Sequence, residues 1–297
     1  FTRGSSNSQA LRHLNIEVEL RHAINRKDLT VHYQPKMDLA SGHVNAIEAL
    51  VRWKHDTLGW ISPNEFIPIA ENAGLITNIG EMVLETACRH GAKWIEEGIP
   101  SAKIAVNLSA KQLIRQDMLA QIKRILKKTG FPPEQLIVEL TESLLIDALD
   151  KTADTLCGLR EMGIEIALDD FGTGYSTFKL LKRVPVDILK IDQMFISNLL
   201  DNPADAAITK AIIDVAHALN MRVIAEGVEK KEHLNLLQKL GCDSIQGFYL
   251  SEALPRSKIS NLLTTGVPGI TSQRTSKDIE ETRKRLAENT NEKVASA

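Results

Sequence analysis

The chain lacks the cysteine pattern of a disulfide-stabilised or zinc-binding protein. It has three cysteines, an odd number, and Cys88, Cys157 and Cys242 lie far apart with no Cys-x-x-Cys pair. Disulfide frameworks and zinc knuckles depend on paired cysteines at defined spacings. We therefore interpret all three as small buried apolar side chains in a reducing, cytoplasmic compartment.

An excess of one charge and long apolar runs are also missing. Lysine and arginine total 36 and the acids 38, so the net charge over 297 residues is −2. Nucleic-acid binders usually carry a basic excess, so we expect no DNA binding, although a small phosphate ligand needs only a local site. No run of about 18 apolar residues predicts a membrane span. Because the sequence starts at Phe1 rather than Met, we expect a fragment of a longer parent protein, which could itself be anchored in the inner membrane.

Short β-branched runs alternate with longer helical patterns along most of the chain, an order that predicts right-handed βαβ units and a parallel sheet. Eight strands are predicted, at 31–35, 44–53, 103–108, 136–141, 164–170, 186–192, 222–228 and 243–248. Helices are predicted at 11–27, 78–97, 110–128, 147–162, 204–219 and 229–240. Roughly 250 residues suit a closed barrel, so we predict an α/β fold, a TIM-like (β/α)8 barrel.

The first connection departs from this alternation. Residues 36–43 are too few for a crossover helix and contain the turn pair Ser41-Gly42, so the first strand is predicted to run antiparallel. The ends also differ in composition. We expect a linker or disordered start at 1–13, one domain at 14–262, and a polar C-terminal tail at 263–297.

Polar side chains follow the predicted strands at their carboxyl ends, where barrel enzymes place their chemistry. They are Glu48, Arg52, Asn107, Glu139, Glu142, Asp169, Asp170, Lys190, Asp192, Glu226, Glu229 and Gln246. Taken singly, each has a structural explanation as a helix cap or a surface charge. Taken together, carboxylates crowded at one mouth would repel each other, and a bound divalent cation removes that cost.

The donor set indicates which metal and which reaction to expect. Carboxylates with the Asn107 amide oxygen suit Mg²⁺, Mn²⁺ or Ca²⁺ rather than zinc, and the adjacent Asp169 and Asp170 could bridge a second ion. We therefore expect metal-assisted hydrolysis of a phosphate ester, with Lys190 holding the water or a phosphoryl oxygen and Glu226 as general base. Gly172 and Gly174 follow the paired acids and predict a loop that orders the second metal, or simply a glycine turn.

These motifs resemble the EAL-domain family of bacterial cyclic di-GMP phosphodiesterases over roughly residues 14–262. The segments that carry the resemblance are YQPKMDLASG (33–42), EALVRW (48–53), FIPIAENAGLI (66–76), NLSAKQL (107–113), ELTES (139–143), DDFGTGYS (169–176), LKID (189–192), AEGVE (225–229) and QGF (246–248). The resemblance implies hydrolysis of cyclic di-GMP to linear pGpG with Mg²⁺ or Mn²⁺ as cofactor, and it implies that Ca²⁺ is inhibitory.

The resemblance also implies a role for each matching position. Glu48, Asn107, Glu139 and Asp169 match metal ligands, and Asp170 matches a ligand of the second ion. Lys190 matches the lysine on the attacking water, Glu226 the general base, and Glu142 the glutamate that steadies the loop. The positions that match substrate-binding or supporting residues are Gln34, Leu50, Arg52, Asp192, Glu229 and Gln246.

Alternatives to a hydrolase remain open at this stage. The chain could be a non-catalytic cyclic di-GMP receptor, although no predicted ligand is substituted. It could also be another metal-dependent barrel enzyme, because fold does not fix function. The resemblance further implies a homodimer, and the helix at 11–27 resembles the connector that follows a diguanylate cyclase-type (GGDEF) domain, so we expect a fused GGDEF or sensory domain in the parent.

Overall fold

The computed structural model describes residues 3–99, 102–115, 117–172, 181 and 184–267, with the side chains of all of these except 3–10 and 143–151. No helix that it describes is long and apolar enough to span a bilayer.

Eight strands close into a barrel, as predicted. They are β1 (Leu29–Asp38), β2 (Val44–His55), β4 (Lys103–Asn107), β5 (Leu136–Thr141), β6 (Glu165–Phe171), β7 (Ile188–Ile191), β8 (Arg222–Ala225) and β9 (Ser244–Gln246). Two short strands lie at its margins, β3 (Gly59–Ile61) on β2 and β10 (Leu254–Pro255) on β1. β1 pairs antiparallel with both β2 and β9, and the pairs from β2 round to β9 are parallel. The TIM-like fold with a reversed first strand is thereby confirmed.

Helices surround the barrel. The described ones are α1 (Arg3–Arg26), α2 (Pro63–Asn72), α3 (Ile76–Glu96), α4 (Ala110–Leu113), α5 (Met118–Thr129), α6 (Glu142–Glu161), α7 (Gln193–Ser197), α8 (Pro203–Ala218), α9 (Lys231–Leu240) and α10 (Arg256–Thr265). The predicted helix at 110–128 is two helices, α4 and α5. Ser109 and Gln112 form a capping box at the start of α4. No helix was predicted at α2, α7 or α10. The interpretation of all three cysteines as buried is wrong for Cys157, which is exposed, and right for Cys88 and Cys242.

The N-terminal helix begins earlier than the composition predicts. α1 starts at Arg3, so residues 3–10 are helical where a linker or disordered start was expected. Small polar residues weaken a helix only slightly when no proline interrupts it. Ile16, Leu20 and Ala23 form the face of α1 that is buried against the barrel, and this packing supplies most of the stability of such a helix.

The C-terminal end of the barrel domain also differs from the predicted boundary. α10 continues past residue 262 to Thr265, and Leu263 and Val267 are buried. The first residues of the predicted polar tail therefore pack against the domain. Residues 268–297 of that tail lie outside the described residues.

Candidate active site

Two layers of inward-facing side chains lie inside the barrel, and β2 and β4 to β8, six of the eight barrel strands, supply one residue to each layer. The lower layer, here called the packing layer, is a buried apolar cluster of Ala46, Ala105, Ile137, Ala167, Ile188 and Ile224. Side chains two residues apart on a strand point to the same face. The next inward residues toward the carboxyl ends form the polar layer, which consists of Glu48, Asn107, Glu139, Asp169, Lys190 and Glu226.

The buried ammonium of Lys190 lies at the centre of the polar layer. Its Nζ is 2.9 Å from a carboxylate oxygen of Glu139, 2.9 Å from Asp169 and 2.7 Å from Glu226, and 3.6 Å from Glu48. Burial by itself would lower the pKa of Lys190, but these carboxylates outweigh it and hold that pKa well above the ordinary 10.5. Lys190 therefore stays charged and draws acids from four other strands together.

A second buried lysine, Lys36 on β1, is a site residue that the sequence analysis missed. Its side chain is fully buried. The Lys36 ammonium contacts the Glu139 oxygen that Lys190 leaves free, and it lies 3.9 Å from Glu48. The signal was available, since Lys36 follows the predicted site residue Gln34 by two positions and so shares its face of the strand.

Glu48 and Glu139 lie side by side, and their surroundings shift the pKa values of the two carboxyl groups in opposite directions. Burial raises the pKa of Glu48, but Lys190, Lys36 and two amide donors outweigh burial and lower it to about 2. Those donors are Asn107 Nδ2 and Gln246 Nε2, each 2.7 Å from a Glu48 oxygen. Burial and the neighbouring Glu48 charge raise the pKa of Glu139. The pKa values of these two neighbouring acids are therefore shifted in opposite directions.

A β-bulge brings Asp169 and Asp170 to the same side of β6. Neighbouring residues on a regular strand point to opposite faces, but the register between β6 and β7 shifts between Leu168 and Phe171. Asp170 takes a left-handed backbone conformation there, with φ of 55°. Such a bulge redirects side chains. As a result, oxygens of Asp169, Asp170 and Glu226 all lie within 4.8 Å of one another, an arrangement that can hold a metal ion.

Two acids of this cluster, Asp170 and Glu226, have raised pKa values. Burial raises the pKa of Glu226 to about 8, and the nearby Asp169 and Glu48 charges add to that rise. Burial, with the charges of Asp169 and Asp192, raises the pKa of Asp170 to about 6. A divalent cation would stabilise the ionised forms of both.

Glu142 joins the start of α6 to the end of β6. Its Oε2 accepts a hydrogen bond from the Gly172 amide at 3.1 Å, and its buried Oε1 has no hydrogen-bond partner among the described residues. Gly172 has a φ of 101°, in the left-handed region, and a Cβ there would overlap the Phe195 ring. Glu142 therefore holds the first residue of the predicted loop. Gly174 and the rest of that loop, 173–180, lie outside the described residues.

Three of the predicted substrate-binding residues, Gln34, Asp192 and Gln246, make contacts near the polar layer. Gln246 Nε2 donates to Gln34 Oε1 at 3.1 Å as well as to Glu48. Asp192 caps α7 by accepting from the Met194 amide at 2.7 Å and lies close enough to influence Asp170. Glu229 is exposed, and its side chain forms no hydrogen bond or ion pair with another described residue.

A cavity of about 540 Å³ opens beside the polar layer. Leu50 and Arg52 line it together with Asn107, Asp169 and Asp170. Its far wall is apolar and comes from α2 and α3, which the sequence analysis did not connect with the site; that wall includes Ile67, Ile76, Ile79 and Val83. The space combines a charged end, where Arg52 or a cation on the acids could hold a phosphate, with an apolar end that suits ring systems.

Comparison with known proteins identifies the family of this fold and site. The sequence model described as "EAL domain" matches residues 17–253. The bifunctional diguanylate cyclase/cyclic di-GMP phosphodiesterase MucR of Pseudomonas aeruginosa is 41% identical over 259 residues, which are 87% of this chain and 38% of that protein. The cyclic di-GMP phosphodiesterase PdeR of Escherichia coli is 39% identical over 249 residues, 84% of this chain and 37% of that protein.

A solved structure is similar over most of the barrel. The MucR phosphodiesterase in complex with c-di-GMP superposes with a TM-score of 0.79 at 41% identity, covering 82% of this chain and 99% of that one. The chain thus spans about two fifths of the length of the curated relatives it matches and nearly all of a separately solved domain.

Proposed function

Because the chain belongs to the EAL domain family, we propose that it hydrolyses one phosphodiester bond of cyclic di-GMP to give linear pGpG. The observation that carries this proposal is the convergence of Glu48, Glu139, Asp169 and Glu226 on the Lys190 ammonium at the mouth of the barrel. Relatives named for this activity, and a related domain solved with c-di-GMP, support the choice of substrate.

The donor set fits one or two Mg²⁺ or Mn²⁺ ions, which would be held by Glu48, Asn107, Glu139, Asp169 and Asp170. The donors are all oxygens, which these ions prefer. The mutual approach of Asp169, Asp170 and Glu226 supports the second position. When bound, such ions activate water and stabilise charge on phosphoryl oxygens. We propose that Ca²⁺ inhibits, because it accepts the same oxygens in a larger and looser geometry.

The chain's own residues orient the attack. The Lys190 ammonium lies 2.7 Å from Glu226, so a water held by Lys190 lies within reach of that carboxylate. The water oxygen bonds to phosphorus and its proton passes to Glu226. The bond from phosphorus to the ribose 3′-oxygen breaks, and that oxygen takes up a proton from solvent and leaves as a hydroxyl. The phosphate stays on the 5′-oxygen. Arg52 lines the adjacent cavity and offers a charged donor to the phosphate that is not cut.

Incubation of the purified chain with cyclic di-GMP and Mg²⁺, followed by chromatography, tests the proposal. Stoichiometric conversion to pGpG that EDTA abolishes is the expected result. Tight binding without product under the same conditions would instead make the chain a receptor for the dinucleotide. Absence of both would contradict the proposed substrate.

Three wider expectations remain proposals for the parent protein. The matched relatives are much longer than this chain, and one is named as bifunctional, which supports a fused GGDEF or sensory domain. A homodimer and a cytoplasmic location stay predictions. Sedimentation of the chain at several concentrations checks the first of these two.

A further inference from the structure

An exposed tryptophan lies at the rim of the barrel mouth and has no part in the reaction described above. Trp60 on β3 is 60% exposed, whereas Trp53 and Trp94 are 1% and 4% exposed. An isolated exposed apolar side chain needs no explanation. The position of Trp60 relative to the substrate-binding strand is what makes it informative.

Strand pairing places Trp60 on the same face as the site residues. Trp60 pairs directly with Lys54 of β2, and directly opposed residues lie on one face of a sheet. Along β2, Lys54 alternates in step with Glu48, Leu50 and Arg52. Glu48 belongs to the polar layer, and the cavity beside that layer is lined by residues 49–52 of β2, which include Leu50 and Arg52. Trp60 therefore extends this face beyond Arg52.

His32 reaches the same point from the other side of β2. It pairs with Leu50, and its ring centroid lies 5.9 Å from that of Trp60 in an edge-to-face arrangement, with an interplanar angle of 69°. His32 Nδ1 donates to the Ala253 carbonyl at 3.3 Å, which fixes the imidazole. Burial lowers the pKa of His32, so the ring is neutral at pH 7. The two rings thus lean toward each other across the Leu50–Arg52 stretch of β2.

An exposed indole beside a phosphate-binding arginine suits a nucleobase. The edge-to-face contact with His32 uses the edge of one ring, so a flat face of the Trp60 indole is left for another partner. Bases stack on such faces, and the interaction tolerates any base. We propose that Trp60, supported by His32, stacks a guanine base of the cyclic dinucleotide at the mouth, so that Trp60 determines affinity and not rate. This inference rests on the proposed function.

The three tryptophans make the inference directly measurable, because only one of them is exposed. Intrinsic fluorescence is recorded while cyclic di-GMP is added to the chain in EDTA and, separately, in Ca²⁺. Quenching that saturates with ligand is expected, and Trp60→Leu should abolish it. Trp60→Leu should raise the KM in Mg²⁺ by about 5- to 100-fold, the range for loss of one stacked base, with kcat within about twofold of the wild type.

Matched variants separate stacking from a structural effect. Trp60→Phe keeps an aromatic face and should restore the KM to within a few-fold of the wild type. Ile95→Ala removes another exposed apolar side chain, on α3, and should leave KM unchanged. His32→Ala should raise KM less than Trp60→Leu.

Two results would overturn the inference. The first is an unchanged KM and unchanged ligand affinity in Trp60→Leu while the chain still cleaves cyclic di-GMP, which leaves the proposed function intact. The second is a Trp60 fluorescence that responds to protein concentration and not to ligand, because that would assign the indole to contact between copies of the chain. A chain that binds without cleaving would fail the hydrolysis proposal only, since the quenching assay needs no turnover.

Discussion

The packing layer and the polar layer are built by the same six strands and differ by two residues along each. One is a cluster of buried alanine and isoleucine side chains. The other holds four carboxylates around one ammonium. Because backbone and strand register are shared, the difference in chemistry comes from side chains alone. The barrel therefore places the residues that stabilise its core and the residues of its site only two positions apart on each strand.

The energetics of the two layers point in opposite directions. Buried apolar side chains stabilise the fold by removing apolar surface from water. Burying several charges seldom gains stability, since desolvation offsets their attraction. The raised pKa values of Glu139, Asp170 and Glu226 express that cost. The polar layer is therefore explained by what it binds and does.

Replacing the ammonium at the centre of the polar layer should give the largest effect. Lys190→Met keeps the length of the side chain and removes its charge. We expect kcat to fall by about 10³-fold or more, because both water positioning and electrostatic stabilisation are lost. Binding of cyclic di-GMP, measured by isothermal titration in Ca²⁺, should change much less. Equal losses in kcat and in binding would assign Lys190 a structural role.

Loosening the loop attachment should have an intermediate effect. Glu142→Gln keeps the size of the side chain but weakens its hold on the Gly172 amide, since a neutral acceptor forms a weaker hydrogen bond than a carboxylate. We expect kcat to fall about 10-fold and the half-saturating Mg²⁺ concentration to rise. The Mg²⁺ dependence of the initial rate measures both. An unaltered Mg²⁺ dependence would count against the coupling between this loop and the metal.

The pH dependence of thermal stability should distinguish the two layers in a measurement that needs no catalytic activity. The folded protein holds the Glu226 proton with a pKa of about 8 against an ordinary 4.5. Its stabilising contribution is complete below about pH 4.5 and is lost as pH rises toward 8. In EDTA, the melting temperature of the chain should therefore fall as the pH is raised from about 4.5 to 8.

A variant at Glu226 tests whether its proton causes this pH dependence of the melting temperature. Glu226→Gln should flatten the fall in melting temperature between about pH 5 and 8 in EDTA, while Ile137→Ala should shift the whole curve without flattening it. The same slope in wild type and Glu226→Gln would contradict the assignment.

The smallest effect on turnover should come from the packing layer. Ile137→Ala creates a cavity two residues below Glu139, and we expect a loss of about 2–4 kcal/mol of unfolding free energy. At a temperature where the variant is fully folded, kcat should stay within a few-fold of the wild type. Urea denaturation and the hydrolysis assay measure the two quantities. A large loss of kcat with unchanged stability would show that the layers are not separable.

The six residues of the polar layer were predicted from the sequence, but some of their neighbours were not. Glu48, Asn107, Glu139, Asp169, Lys190 and Glu226 all stand at strand ends, and closure of a barrel is enough to bring strand ends together. Lys36 was missed because β1 runs the opposite way, so the carboxyl end of β1, where Lys36 lies, is not the end at the mouth. The long side chain of Lys36 reaches Glu139 from there. The period-two spacing from Gln34 was the remaining signal.

Other features depend on tertiary structure and have weaker local signals. The bulge at Asp169 and Asp170 appears only once β6 is paired with β7. The break between α4 and α5 has no proline or glycine to mark it. The start of α2 was readable, since Ser62 accepts from the Asn64 amide and Pro63 opens the helix, a recognised start signal. The position of Trp60 relative to the site follows from the pairing of β2 with β3, which was not predicted from the sequence.

Direct counting of bound metal tests the central claim, that acids from separate strands form one divalent-metal site. Electron paramagnetic resonance of free Mn²⁺ gives the number and affinity of ions bound by the metal-free chain, with Glu139→Gln and Asp169→Asn as variants and Ile137→Ala as the control. We predict saturable binding by the wild type and the control, and affinity reduced at least about tenfold in both polar-layer variants. Equal Mn²⁺ binding by the wild type and Asp169→Asn would contradict the account.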